Sequence, residues 1–448
     1  MPYFLHVPNA AKLRTSGFGS IARVPCIFAS DWSYQAEVSR YLRERAKMEW
    51  TTKVPSNQFR RRSHLTGLSL RTLGQWLCNF LEWCETNKRD WRKLEYQEGL
   101  IDGYQAHMLS GAWSASGKAL RPATINPRVG EATNFLRWAA DRHLRPAFEV
   151  LTHIRRVDIS STRSGGQHLT KEVEVREGGV RPDPQRLRIP TDAEIRRWYL
   201  ALRTQKGATK ALMAELILMT GIRREEAVQW QVDTLPDDET FWDVVGDHVN
   251  VEICYGAKGP KYPDGRGGER GPRRTVIVPL SLARKLAEYK ETVRPGLRAK
   301  FVRAAESVTE RRQRMAKIPR QLFLSDYTGE PVSAQSIYEA WTTVTALPFK
   351  GWSPHLGRHY WACKKLIEGI EQRKKALDLQ QDCVMSADWI TGSAADDIEL
   401  VIKPQLGHSG GSTTQRYLVW VQRAFTLTDM FDKYEAHLES LLAGEVAS

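Results

Sequence analysis

Three short segments of this chain place reactive side chains at spacings that suit phosphate chemistry. The first, Thr220-Gly221-Ile222-Arg223-Arg224-Glu225-Glu226, follows an apolar run from Ala211 to Met219. Gly221 suits a left-handed helix end, so Arg223 falls at a junction between two helices. Glu226 is then placed to fix its backbone or its guanidinium. A planar guanidinium so held grips two phosphate oxygens at once; the plainer reading is a surface arginine after a helix end. The second segment is Ser353-Pro354-His355-Leu356-Gly357-Arg358-His359. Ser353 is a candidate N-cap and Pro354 a candidate first helical residue. His355 and Arg358 then share one face of the first turn, where free N–H groups also favour anions. That pairs an acid/base imidazole with a charged clamp, against the plainer reading of a capped surface helix. The third segment is Leu406-Gly407-His408-Ser409, with Tyr417 nine positions after His408. A lone tyrosine on a helix is usually a packing residue.

The elements that must position these groups can be read from periodicity. Leu73, Leu77, Phe80, Leu81 and Cys84 lie on one face of a helix, and Val129, Ala132, Leu136, Ala139 and Ala140 on one face of another that ends before Pro146. Residues 31–157 therefore read as a helical domain after an N-terminal extension, 1–30. Residues 1–60 could serve as a DNA-binding arm or as a protein contact. Residues 158–188, with SSTRSGGQ and Gly178, Gly179, Pro182 and Pro184, read as a linker. Thr191 can cap the first helix of a second domain, 189–426. Val249, Val251, Ile253 and Tyr255 alternate, as do Val276, Val278 and Leu280, so one β-sheet is expected among helices. The joining loop, Gly256 to Pro272, is too long for a tight turn, and a mobile tip is expected.

Order, spacing and residue type in the three segments resemble the tyrosine recombinase (phage integrase) family, whose pattern is an arginine after a TG(L/I) turn, a lysine in a β-hairpin, HxxR, LGH and a C-terminal tyrosine. The resemblance covers about residues 187–430 and extends more loosely to the helical first domain. It implies a fold that is mainly α with a small antiparallel β-sheet: a helical core-binding (SAM-like) domain plus a mixed α+β catalytic domain. It further implies Arg223 and Arg358 as catalytic arginines, His355 and His408 as the two histidines and Tyr417 as nucleophile, with Glu226 in support. The lysine maps to Lys258, with Lys261 as its rival and a further candidate DNA contact. Two departures stand out. Residues 377–402 read as an insertion of unassigned task, and Gly357 replaces a bulkier residue.

On that resemblance the chain would be a site-specific recombinase or integrase of a mobile element, acting in integration, excision, transposition or resolution. It would cut and rejoin double-stranded DNA through a 3′-phosphotyrosine, with no metal and no cofactor. Two guanidiniums would neutralise the nonbridging oxygens. His355 would accept the phenolic proton, His408 would hydrogen-bond the phosphate, and Lys258 would protonate the departing 5′-oxygen. Contacts to phosphates would set position, and helix side chains in the major groove would set sequence. Arg60, Arg61, Arg62, Arg121 and Arg128 are candidate DNA contacts of the first domain, or simply a solvated basic face. The amphipathic tail Leu427 to Leu442, in a C-terminal segment 427–448, would pack on a neighbouring protomer in a DNA-bound homotetramer or cap its own domain. Free protein is expected as a monomer or weak oligomer, with or without accessory DNA-binding proteins. A type IB topoisomerase-like enzyme and a non-catalytic DNA-binding relative are the competing readings.

Bulk composition is compatible with this. The chain has 448 residues, 41% hydrophobic and 26% charged, a globular balance with room for two or three domains. Its net charge of +14 favours a polyanionic partner. No apolar run is long enough to span a bilayer, and the N-terminus lacks a secretory pattern, so no membrane partner and a cytoplasmic location are expected. Cys26, Cys78, Cys84, Cys254, Cys363 and Cys383 form no CxxC, which favours reduced thiols.

Overall fold

The computed structural model describes residues 3–52, 65–158, 170–182, 187–259, 261–266, 268–377, 387–407 and 412–422. Arg60, Arg61, Arg62, His408, Cys383 and the tail 427–448 lie outside the described residues. The chain divides into two units, residues 1–160 with 167–185 and residues 161–166 with 186–448. Both are mainly helical with small antiparallel sheets, the fold class expected from sequence.

The first unit has strands β1 (Tyr3–His6) and β2 (Cys26–Ala29), helices α1 (Ala36–Lys47), α2 (Gly67–Thr86) and α3 (Pro122–Asp141), and strands β3 (Thr152–Asp158) and β4 (Thr170–Arg176). The apolar stripe anticipated on α2 is buried, and it shares a core with Val129, Ala132, Leu136 and Ala139 of α3. Two findings modify the sequence reading. The N-terminal segment is not a bare extension: β1 pairs with β2 and lies on α2, where Leu5 fills the space a Cβ at Gly74 would need. The stretch assigned to a linker contains β4, which pairs with β3 from Thr152↔Arg176 to Asp158↔Thr170. Its sequence, TKEVEVR, has only two apolar residues, so it lacks the signature of a strand that builds a core.

In the second unit Thr191 caps α4 (Asp192–Lys206) in a reciprocal box with Glu194. Helices α5 (Ala208–Thr220) and α6 (Arg224–Val228) follow, then β5 (Asp243–Val245), β6 (His248–Ile253) and β7 (Arg274–Pro279) in one antiparallel sheet of order β5-β6-β7. The alternating valines face inward, with Val249 opposite Val278 and Val251 opposite Val276. The long loop between β6 and β7 has its own short ladder, Tyr262–Pro263 with Glu269–Arg270, and Gly271 N–H closes its base on the Cys254 carbonyl at 2.7 Å. Helices α7 (Leu280–Glu288), α8 (Ala334–Thr342), α9 (Pro354–Ala376), α10 (Ala387–Asp397), α11 (Lys403–Leu406) and α12 (Ser412–Gln422) complete the elements used below. Among the described residues no helix is long and apolar enough to cross a membrane.

Three buried tryptophans organise this core. Trp341 lies 4.4 Å from Trp198 and 5.7 Å from Trp352 between ring centroids. Helix α9 rests on this cluster at Gly357, where a Cβ would stand 2.6 Å from the Trp341 ring. Glycine is a poor helix former, and Gly357→Ala in a helix interior ordinarily gains about 1 kcal/mol. Here the ring it would strike is fully buried, and overpacking of that kind costs roughly 1–3 kcal/mol. Gly357→Ala is therefore expected to lower the denaturant midpoint; an increase would show that propensity, not close approach, governs the position.

Candidate active site

Helix α5 ends at Gly221, whose φ of +66° is the left-handed turn expected of glycine there. A Cβ at this position would meet Trp361 and Leu406 at 2.7 and 2.8 Å. Ile222 is buried, so the chain is pinned just before Arg223, the residue that opens α6. Glu226, one turn on, accepts the Arg223 backbone N–H at 2.7 Å and its Nη1–H at 3.3 Å. The Glu226 carboxylate is fully buried and takes a second guanidinium, Arg274 of β7, at 2.6 Å. Sequence reasoning did not single out Arg274, because nothing about an arginine at the start of a strand marks it as interior. Burial lowers the pKa of Arg274, an effect that Glu226 opposes.

The turn after α11 is gripped from several sides. Gly407 has φ +59°, and its carbonyl accepts from Arg223 Nη2 at 3.2 Å. Arg274 Nη1 donates to the Gln405 carbonyl. The buried Gln405 side chain donates to the Thr220 and Ile277 carbonyls, each at 2.9 Å, and accepts from Ile277 N–H at 2.8 Å. The end of α5, strand β7 and the 405–407 turn are thus tied together by side-chain-to-backbone bonds.

Arg358, on the first turns of α9, is 2% exposed. Its Nη1 donates to the Gly221 carbonyl at 2.7 Å, and its Nη2 donates to the Leu406 carbonyl. Burial, then the charges of Arg223 and Arg274, push its pKa down to about 9, which leaves it protonated at neutral pH. Ser353 opens α9 in extended conformation, but its hydroxyl makes no capping bond, contrary to the sequence reading. His355 keeps an exposed edge. Its pKa is lowered, first by desolvation and then by Arg358, Arg416 and Arg223, so it is neutral at pH 7.

Tyr417 on α12 is fully buried. Its hydroxyl lies 2.8 Å from Nδ1 of His359, and Nε2 of His359 lies 3.1 Å from Nε2 of His355. His359 was quoted with the second segment but given no task; its place one helical turn after His355 was the available signal. Burial raises the phenol's pKa, Arg358 and Arg416 oppose the rise, and Cys363 adds to it. The apolar cluster that holds Tyr417 draws on both α9 and the segment read as an insertion. Ile390 and Ala394 of α10, with Ile398 and Ile402, pack with Leu366, Ile370 and Tyr417 in one cluster. Arg373 of α9 pairs with Asp397 at 2.8 Å and anchors α10.

Lys258 and Lys261 are both exposed in the loop after β6, with no hydrogen-bond or ion-pair partner for either side chain among the described residues. The loop base approaches α6 closely: Gly256 has φ +71°, and a Cβ there would stand 2.2 Å from the Glu225 carbonyl. In the first unit Arg121 is exposed. Arg128 is half-buried, and its Nη1 donates to Asn79 Oδ1, which also accepts from Tyr104 and Trp113. That places Arg128 in an interior network rather than on an open basic face.

No family model and no curated protein matches the sequence. Solved structures to which the chain is similar include the XerH site-specific recombinase bound to a palindromic difH substrate, with TM-score 0.46, 13% identity and coverage of 82% of this chain and 80% of that one. A lambda integrase (residues 75–356) dimer bound to a COC′ core site gives 0.41 and 13%, covering 86% and 94%. The Tn1549 transposon integrase in complex with circular intermediate DNA gives 0.42 and 12%, covering 78% and 88%.

The charge arrangement makes a direct prediction. Removing one partner of a buried ion pair costs roughly 3–5 kcal/mol, because the other charge is left uncompensated. Glu226→Ala is expected to destabilise the protein by about that amount in urea unfolding. Combined with Arg274→Met it should lose clearly less than the sum of the two single changes. Strict additivity would show that the pair is not coupled.

Proposed function

We propose that this chain is a DNA strand transferase of the tyrosine-recombinase type, in which Tyr417 attacks a phosphodiester held by Arg223 and Arg358. The observation that carries this reading is the junction of groups in the second unit. The phenol is in hydrogen-bond series with two imidazoles, one of which precedes Arg358 by three residues, and both arginines bond to the same 406–407 turn. A packing tyrosine has no need of such neighbours.

A phosphodiester repels nucleophiles because it is anionic, and its charge grows in the transition state. A guanidinium has five N–H donors, so Arg223 and Arg358 keep donors for nonbridging oxygens beyond those engaged by backbone carbonyls. Their positions are fixed before substrate arrives, and such preorganised donors are typically worth about 100- to 1000-fold each. The phenol must lose its proton, and His355, neutral at pH 7, is available to receive it. Lys258, exposed and uncommitted, suits protonation of the departing 5′-oxygen; Lys261 is the competing amine. His408 would complete the phosphate contacts. The product is a 3′-phosphotyrosine and a free 5′-hydroxyl. Since the phosphoester link is exchanged rather than hydrolysed, a second 5′-hydroxyl can reverse the step. The phenol is fully buried in the free chain, so the site must open over it before a phosphate can meet it. The net positive charge supports a duplex DNA partner. Site-specific recombination by a DNA-bound homotetramer, in the service of a mobile element, is the biological form we propose.

The test uses fragmented, nicked DNA from the cell that encodes the protein. Wild type is expected to form a covalent protein–DNA adduct and to exchange strands between two labelled duplexes. Tyr417→Phe should abolish the adduct with DNA binding nearly unchanged, and Arg223→Ala should slow its formation by about 100-fold or more. Relaxation of supercoiled DNA without strand exchange would favour a nicking-closing enzyme. An adduct that persists in Tyr417→Phe would overturn the assignment of the nucleophile.

A further inference from the structure

Resting on the strand-transfer reading above, we infer that His359 is a catalytic residue, the group that takes the phenolic proton of Tyr417 directly and passes it to His355. His355 is the more obvious base by position, but among the described contacts it is not the imidazole at the phenol. The 2.8 Å contact of the Tyr417 hydroxyl is with Nδ1 of His359, and the 3.1 Å contact of His359 Nε2 is with Nε2 of His355. His355 and His359 are four residues apart on α9, so one helical turn brings the two rings together edge to face, with centroids 4.5 Å apart and planes at 73°. His359 is 2% exposed and Tyr417 is fully buried, whereas His355 reaches the surface. The three groups therefore run from an enclosed phenol to an exposed imidazole, with hydrogen-bond separations at each step.

The contacts are compatible with either of two tautomer sets, and the relay uses the one in which the phenol donates. Nδ1 of His359 accepts the phenol O–H, its Nε2–H donates to Nε2 of His355, and His355 has its own proton on Nδ1. In the forward step the phenolate oxygen forms its bond to phosphorus as the bond from phosphorus to the 5′-oxygen breaks. The phenolic proton moves to Nδ1 of His359, and the proton on Nε2 of His359 moves to His355. His355 becomes the imidazolium, His359 ends neutral in its other tautomer, and the 5′-oxygen takes a separate proton from the lysine side. Reversal of the strand transfer runs the same wire backwards. The charged groups facing this path are Arg358 of α9, Arg223 at the start of α6 and Arg416 of α12, with the Cys363 thiol of α9 near the phenol. The three arginines resist a permanent imidazolium at His355 and so keep the acceptor empty at neutral pH. Any buried neutral imidazole needs a partner for each ring nitrogen; here one partner is the Tyr417 hydroxyl and the other is an imidazole that reaches the surface.

The experiment is single-turnover cleavage on a nicked duplex recovered from wild-type adducts, followed from pH 5 to pH 8.5. His359→Asn keeps a hydrogen-bond acceptor near the position of Nδ1 but cannot carry a proton. It is expected to bind the duplex as wild type does, to cleave about 100-fold more slowly or worse, and to lose the acidic inflection. Wild type itself should slow as pH falls, with an inflection below the ordinary histidine value of 6.5, because protonating His355 fills the outlet. This check needs no variant and stands if His359→Asn does not fold. Cleavage by His359→Asn within about threefold of wild type, or a wild-type rate flat across the range, would overturn the relay while leaving the strand-transfer reading intact. Absence of any wild-type adduct would instead overturn that reading, and the relay with it.

Discussion

The second unit depends on one charge buried where charges are costly. Arg358 lies almost wholly out of solvent, and an uncompensated ion in such a place costs several kcal/mol. Its compensation is specific. The Gly221 and Leu406 carbonyls lie at the C-terminal ends of α5 and α11, where backbone acceptors lack helical partners and the helix dipole is negative. One guanidinium thus satisfies two helix ends that would otherwise need water. In doing so it fixes the relative position of the 221–223 turn, the start of α9 and the 405–407 turn. Arg223 then bonds the next carbonyl, Gly407, and Glu226 balances Arg223 and Arg274 from behind. A cluster of like charges is held together by backbone dipoles and one buried carboxylate.

This explains which parts of the site were legible in the sequence. Arg223, His355 and Arg358 stand at fixed offsets from turn and cap signals, whereas Tyr417, by itself a packing residue on a helix, stood out only through the resemblance of the whole pattern to a known family. Gly221 was readable as a left-handed turn from residue type alone; Gly407 adopts the same conformation but was read only as part of the Leu-Gly-His segment. Arg274 and Gln405 were not, because their roles arise only when β7 meets the 405–407 turn, a contact between residues about 130 positions apart. His359 was in view but not interpreted, since its meaning depends on where α12 brings Tyr417. The paired valines of β6 and β7 were legible from strict alternation, whereas β4 was not, because a two-stranded ribbon of charged residues builds no core.

The segment before α11, read from sequence as an insertion, shares a cluster with Tyr417. Its α10 and the turn Ile398–Ile402 form the apolar cluster around Tyr417 together with α9. Two opposed effects act on the phenol. Desolvation holds the proton on the oxygen, while Arg358 and Arg416 favour its release. On balance the phenol's pKa stays raised. Gly357 has a similar standing: its missing side chain lowers helix propensity, yet it lets α9 sit against Trp341 at the distance that brings Arg358 to its carbonyls.

The central claim is that the phenol on α12, and no other group, bonds to DNA at the arginine-lined junction. Mass spectrometry of the protein after reaction with DNA and exhaustive nuclease digestion tests it most directly. The account requires a nucleotide remnant, linked through its 3′-phosphate, on the peptide that contains Tyr417. A remnant on a different residue, or an unmodified Tyr417 peptide from protein that is folded and has cut its DNA, would contradict it.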